Sequence, residues 1–216
     1  MKLAQPEILR EALAPAAAFE AGDDLMEGCC FEGITLPAEA ELNRLELRGC
    51  VVSRCVWQEV SCHKTAFVDV VFEKCDFSGC DFRGAVFSRV RFAGCKLVGC
   101  DFQETVFRDV GFEDCRARYV NVAAAKAQRL LFSGCELQQA AFEQVKWQAA
   151  FDRCDLTGAS FHFAPLKGMR LTTSRLEGIS VGLEDLKGAV VNTFQAAALS
   201  RLLGLVISDE EASECC

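Results

Sequence analysis

The chain has 216 residues, a formal net charge of −8 and an apolar content of 51%. That length suits one large domain, and no run of about eighteen apolar residues offers a membrane-spanning helix. The start, Met1-Lys2-Leu3-Ala4-Gln5-Pro6-Glu7, lacks the basic residues and apolar stretch of a signal peptide, so a cytoplasmic location is the expectation.

Residues 1–25 follow no repeat. Pro6, Pro15 and Ala16-Ala17-Ala18 read as a lead-in with a short helix from Glu7 to Leu13, placed to cover an open end. Weak repeats begin near Cys29 and Phe31 and continue through Ile34 and Leu36. From Leu36 to Leu42 the spacing is six, with Pro37 at the slip, which predicts a bulged corner. From Leu42 to Trp147 a large or apolar residue falls at every fifth position. The core of the run is Phe67, Phe72, Phe77, Phe82, Phe87, Phe92, Leu97, Phe102, Phe107 and Phe112. Two residues before each stands something small or slim: Thr65, Val70, Cys75, Cys80, Ala85, Val90, Cys95, Cys100, Thr105 and Val110.

A period of five fits neither ordinary element. On an α-helix the large residues would wander around the axis, and on a flat strand they would alternate between faces. The chain must therefore turn once per five residues. A second period lies on the first: Cys55, Cys75, Cys95, Cys115 and Cys135 are twenty apart, as are Phe72, Phe92, Phe112 and Phe132. Four sides thus make one coil, and like residues stack on like in a solenoid.

Ala117, Val122 and Ala127 are undersized centres and predict a thinner coil, filled either by local repacking or left as a bend or cavity. Between Trp147 and Phe151 the spacing drops to four and then resumes through Leu156, Phe161, Leu166, Leu171, Leu176, Val181, Leu186 and Val191. This predicts a tightened corner near Gln148-Ala149-Ala150 rather than a domain boundary. The prediction is one coil domain over 26–191, of about eight coils and roughly 38 Å at one strand spacing per coil.

Residues 192–216 form a separate module. Asn192 with Gln195 resembles a capping box, Gly204 is a helix stop, and Leu205-Val206-Ile207 reads as a short strand. Ala198, Leu199, Leu202 and Leu203 make an apolar stripe with nothing further along the chain to cover it, a candidate interface for a two-fold dimer. The tail from Ser208 to Cys216 is acidic and expected to be loose.

A small residue, any residue, Leu or Phe, then two more, is the pattern of the pentapeptide-repeat family, which the chain resembles over most of its length. The resemblance implies an all-β solenoid, a right-handed quadrilateral (four-sided) β-helix, here with a short C-terminal helix and strand. A narrower likeness lies in Asp185-Leu186-Lys187-Gly188-Ala189-Val190-Val191, Gln195, Leu199 and Leu202 to Ile207. It is similar to the C-terminal module of the quinolone-resistance pentapeptide proteins. That likeness implies end-to-end pairing of two solenoids and binding to DNA gyrase by imitation of duplex DNA.

The residues offer no enzyme. No phosphate loop, dinucleotide fingerprint, H-E-x-x-H or G-x-S-x-G occurs, so no catalytic residue, cofactor or metal is expected. His63 and His162 both follow an inward residue and should face solvent, five coils apart. Carboxylates such as Asp76, Asp81 and Asp101 flank the inward phenylalanines and should be solvated. Nine cysteines (Cys50, Cys55, Cys75, Cys80, Cys95, Cys100, Cys115, Cys135 and Cys154) occupy the small inward position. They are expected to be buried reduced thiols, with only Cys215 and Cys216 quick to react.

The acidity sits at the ends. Residues 1–41 carry nine acids and two bases, residues 42–191 eighteen acids and twenty bases, and residues 192–216 four acids and one base. A mimic of DNA should present a strong negative field, which this balanced coil lacks by count. One row is still a candidate acidic face: Asp81, Asp101, Glu104 and Glu143, opposed by Lys64 and Arg83. Another face is mildly basic through Arg89, Arg108, Lys126, Arg129, Lys146, Lys167 and Lys187, against Asp69, Asp109 and Asp185, and reads as solvated surface. Two functions compete. The first is a non-enzymatic scaffold that binds another protein through a flat face. The second is a partner of DNA gyrase or topoisomerase IV that protects it from quinolones. Self-association is expected in both, and neither membrane nor direct nucleic-acid contact is.

Overall fold

The turn in each repeat has one source. In the computed structural model, which describes residues 1–19 and 25–207, the residue two after nearly every inward centre has a positive φ. Asp69, Lys74, Gly79, Gly84 and Arg89 have φ of 55°, 54°, 71°, 68° and 51°. The centre and the residue two before it both point inward, as alternation along a strand requires. The left-handed residue then turns the chain through a corner and resets the alternation. Glycine takes this conformation without steric penalty, whereas other residues spend about 1–2 kcal/mol. The coil tolerates that cost because every corner is held between bonded neighbours above and below.

Ten strands form one parallel sheet wrapped around the axis. They are β1 (Ala14–Ala16), β2 (Leu25–Glu27), β3 (Cys29–Glu32), β4 (Glu46–Arg48), β5 (Val51–Ser53), β6 (Ala66–Glu73), β7 (Val86–Ala93), β8 (Val106–Glu113), β9 (Lys126–Ser133) and β10 (Lys146–Asp152). The register is the twenty-residue period: Phe67 pairs with Phe87 and Phe87 with Phe107, while Phe72 pairs with Phe92 and Phe92 with Phe112. From β6 onward each strand covers two sides, called here the first (through Phe67) and the second (through Phe72). The third side, through Phe77, and the fourth, through Phe82, are joined by single bridges such as Asp76 to Lys96 and Asp81 to Asp101. Composition explains the difference. Valines 68, 70, 71, 86, 90, 106 and 110 favour extended pairing. Asp76-Phe77-Ser78-Gly79 and its equivalents carry turn residues that bond their own backbone. Strands account for about six turns, and bridges from Asp155 to Arg175, Ser160 to Ser180 and Arg170 to Val190 carry the coil onward.

The core is a column of stacked rings. Phe72, Phe92, Phe112, Phe132 and Phe151 follow one another at centroid distances of 4.8, 4.6, 4.8 and 5.3 Å. The undersized centres Ala117, Val122 and Ala127 are all buried. Beside the column run the thiols. Cys75, Cys95, Cys115 and Cys135 each donate Sγ–H to the carbonyl of Val52, Phe72, Phe92 and Phe112 in the coil before, at 3.3–3.5 Å. All twelve described cysteines are free, and ten of them are buried. Burial pushes the Cys80 thiol up to about 12 and that of Cys50 to about 11, so neither offers a thiolate at neutral pH. Cys215 and Cys216 lie outside the described residues. Cys29 and Cys30 are half-buried, which widens the expected reactive set. Native thiol labelling should therefore reach Cys29 and Cys30 and spare the ten buried thiols; rapid modification of six or more described cysteines would show the ladder to be open.

The four-residue spacing is a deleted corner. β10 follows β9 residue for residue to Gln148, opposite Gln128, and then Ala149 pairs with Leu130, passing over Arg129. The coil continues through the slip, as its spacing predicts.

Both ends differ from expectation in part. The predicted helix from Glu7 to Leu13 is only a 3-10 turn, Arg10–Ala12, because Ala14–Ala16 is drawn into the ladder against Cys29–Phe31. Phe19 covers the first coil by stacking on Phe31 at 4.1 Å and meeting Trp57 edge-on at 4.7 Å. At the other end α1 (Thr193–Ser200) carries the expected capping box, with Asn192 Oδ1 accepting from Gln195 N and Gln195 Oε1 accepting from Asn192 N, both at 2.9 Å. Gly204 caps the following turn at φ 74°. The predicted strand at 205–207 is not formed. A strand needs a ladder partner, and no described segment of the protomer pairs with these residues. The acidic tail, 208–216, lies outside the described residues. Among the described residues no helix is long and apolar enough to cross a membrane.

Candidate functional site

The fourth side carries the predicted acidic row. Asp81 and Asp101 immediately precede the centres Phe82 and Phe102 and are bridged to one another. Glu104 occupies the next corner at φ 57°, and Glu143 follows Phe142. The row is real in position but is not an open line of charge. Arg83 grips Asp81 through Nε (3.0 and 2.9 Å) and Nη2 (2.6 Å), and His63 Nε2 lies 2.5 Å from Asp81 Oδ2. The same Arg83 sits 3.8 Å from Asp101. Asp101 also accepts from Gln103 N, and Glu143 from Ser160 Oγ. Partial burial by itself would raise the Asp81 carboxyl, but Arg83 and His63 outweigh it and hold it down to about 2. Two expectations are thereby corrected. His63 is bound to a carboxylate rather than simply solvated. Asp76, expected to be solvated, accepts from Ser78, Gln58 and Lys96. The geometry is common to both: each carboxylate is reached by a side chain two residues on in its own coil, Arg83 or Ser78, and by the equivalent residue one coil earlier, His63 or Gln58, because adjacent coils lie about 4.8 Å apart.

The corner between the first and second sides was not legible as a site. Here Asp69, Arg89, Asp109 and Arg129 stack one per coil, all with positive φ. Arg89 bonds Asp69, and Arg129 bonds Asp109, each in a two-pronged grip. Both carboxylates are buried, at 8% and 6% exposure. For Asp69 burial is the largest influence, yet Arg89 and the amide of Glu7 outweigh it and lower the pKa; for Asp109 the lowering comes first from Arg129. The column ends where the four-residue slip deletes the next corner residue. It also takes two of the seven bases out of the supposed basic face, since Arg89 and Arg129 are consumed, while Arg108, Lys126, Lys146, Lys167 and Lys187 stay exposed. The signal in the sequence was the alternation Asp, Arg, Asp, Arg at twenty-residue steps.

At the C-terminal end the predicted stripe is divided. Leu199 is half-buried against the core, whereas Ala198, Leu202 and Leu203 face outward. The helix turns Gln195 inward instead, donating Nε2–H to Leu171 O at 2.8 Å and Ser174 O at 2.7 Å. Phe194 is 89% and Val206 93% exposed, with Leu183, Leu205 and Ile207 also uncovered. An apolar groove between the last coil and α1 is lined by Leu183, Leu186, Val191, Ala196, Leu199 and Leu203. Among the described residues no group of His, Cys, Asp and Glu is arranged to hold a metal.

A twenty-residue coil with an inward ring at each side, a small residue two before it and a left-handed corner two after it defines a four-sided repeat solenoid. The chain belongs to the pentapeptide-repeat family: the family models for pentapeptide repeats (8 copies) and for the pentapeptide repeat region match residues 46–84 and 85–161. Among solved structures, it is similar to HetL, a pentapeptide repeat protein involved in heterocyst differentiation regulation from the cyanobacterium Nostoc sp. strain PCC 7120. That match has 17% identity, a TM-score of 0.41, and covers 77% of this chain and 89% of HetL. It is likewise similar to full-length QnrB1, a plasmid-mediated fluoroquinolone resistance protein, at 17% identity and a TM-score of 0.39, over 84% of this chain and 100% of QnrB1. No curated protein matches the chain. Similarity this distant carries no functional argument.

Proposed function

We propose that the protein is a non-enzymatic scaffold: two rigid rods joined at their C-terminal ends, each offering a flat solenoid side to a partner protein. The observation that carries this reading is the contrast between the sides and the end. Several coil carboxylates are paired with bases, among them Asp69 with Arg89, Asp76 with Lys96, Asp81 with Arg83 and Asp109 with Arg129, whereas Phe194, Leu202, Leu203, Leu205, Val206 and Ile207 leave one end apolar and uncovered. Exposed apolar surface concentrated in one place marks an interaction site, and a self-complementary end gives a closed two-fold pair. Leu205-Val206-Ile207 would then find in a second copy the strand partner that one protomer lacks.

Light scattering tests the pairing. The parent chain should be a dimer, and Leu202→Asp with Leu203→Asp a monomer with the circular dichroism of the parent coil, because neither side chain is buried within the protomer. A monomeric parent would refute the pairing. The competing reading, a DNA mimic that protects gyrase or topoisomerase IV from quinolones, needs a continuous negative row, and the grip of Arg83 and His63 on Asp81 speaks against it. A gyrase supercoiling reaction with and without a quinolone separates the two. No effect is expected; protection that is lost on Asp81→Lys with Asp101→Lys would favour the mimic.

A further inference from the structure

The buried carboxylates of the Asp–Arg column have a second set of partners. Ala4 N donates to Asp109 Oδ1 at 2.9 Å and Glu7 N to Asp69 Oδ1 at 3.0 Å. Residues 1–9 therefore lie along the rod as a strap, running back from the middle of the solenoid towards its first coil. The spacing is a geometric match. Three extended residues span about 10 Å, and two coils rise about 9.6 Å, so an extended chain meets every second corner. The intervening corner is Arg89, which has no carboxylate to offer. At the far end Arg10 Nη2 reaches Glu73 Oε1 at 2.6 Å.

A second feature of this corner points to the same ligand. Gly111 stands at the outward position before Phe112, where the other coils have Val51, Val71, Arg91, Leu131 and Ala150. Its φ is not in the left-handed region, so the backbone does not call for glycine. What it provides is space: a Cβ there would lie 3.2 Å from Leu3 Cδ1. The corner thus has a seat for an apolar side chain next to a carboxylate that takes the following amide.

We propose that this corner, from Asp69 to Gly111, is a docking groove for an extended peptide of a partner protein, and that the N-terminal strap is its exchangeable resident. The recognition is of a kind that exchange requires. The bonds to Asp69 and Asp109 use backbone N–H groups, which any extended segment offers. Of the strap side chains only Leu3, Pro6 and Ile8 are half-buried, while Ala4, Gln5, Glu7 and Leu9 are exposed. The partner segment is accordingly extended, with apolar residues in the pattern of Leu3, Pro6 and Ile8 and free amides at the positions of Ala4 and Glu7. Tethering gives the strap an effective concentration in the millimolar range, so the groove is closed to weak ligands until the strap leaves.

The test uses the full chain and a labelled peptide with the sequence of residues 1–12. Ala4→Pro with Glu7→Pro removes both donors without touching the coil. By fluorescence anisotropy this variant should bind the peptide at least about tenfold more tightly than the unaltered chain does. Adding Gly111→Val, which the ladder accepts at Val71, should abolish binding, as should N-methylation of the peptide at the two amides. In the unaltered chain, excess peptide should speed hydrogen exchange of the Ala4 and Glu7 amides, which the displaced strap exposes to water. Equal binding by the proline variant and the parent, or binding indifferent to Gly111→Val, would overturn the groove. So would the absence of binding by a proline variant of native melting, or exchange of the Ala4 and Glu7 amides unchanged by excess peptide. None of these outcomes bears on the end-to-end dimer, which light scattering reads separately.

Discussion

Replacing Phe92 by alanine should lower the free energy of unfolding by about 3–5 kcal/mol, the usual range for removing a buried aromatic ring. Phe92 is fully buried and lies between Phe72 at 4.8 Å and Phe112 at 4.6 Å, with the latter ring only 4° from parallel. Its edge also meets Phe77 at 6.1 Å. A strand backbone held in register on both sides cannot close over the vacated volume, so little of the cost is recovered by relaxation. Because each coil touches only its neighbours, the loss falls on two interfaces in the middle of the rod. Urea denaturation followed by circular dichroism checks it, with Phe163→Ala, whose ring is 73% exposed, as the control expected to change little. Equal midpoints for the two variants would contradict the stacked core.

Gln195→Ala should cost about 2–4 kcal/mol at the C-terminal end. One side chain there closes the capping box on Asn192 N, satisfies the carbonyl of Ser174 and gives that of Leu171 a second donor beside Ser174 N. Each such bond is worth about 1 kcal/mol net, and a buried carbonyl left without a partner adds a further penalty. α1 has eight residues and is too short to persist undocked. Loss of this anchor should therefore free the helix and, with it, the apolar end. The expected results are faster trypsin cleavage at Arg201 and loss of the proposed pairing at unchanged coil content. Gln195→Glu keeps the shape but exchanges the two donors for acceptors, and should be at least as harmful. Cleavage and association both unaltered in Gln195→Ala would show that the helix is held by Leu199 alone.

The coil itself was legible because its determinants are local and repeated. An inward ring at each fifth residue and a small residue two earlier state which side chains are buried, and the twenty-residue period states which of them touch. The buried thiols and the tightened corner at Gln148-Ala149-Ala150 follow from the same rule, and the capping box follows from the three-residue spacing of Asn192 and Gln195. The polar surface follows from no such rule. Whether Asp81 is an open charge or a closed one depends on Arg83 and on His63 one coil away, and period alone does not say which bases reach which acids.

The sequence by itself determined the solenoid, its register and the helix at its C-terminal end, since these rest on apolar periodicity and short-range bonding. Only the tertiary structure decided what the surface does. The strap joins Ala4 to Asp109 across 105 positions of sequence and Glu7 to Asp69 across 62. The bonds come from backbone amides, which carry no signature in residue type, and the site for Leu3 is marked only by the absence of a side chain at Gly111. Contacts of that kind exist once the coil has brought distant corners to a spacing that an extended chain can match.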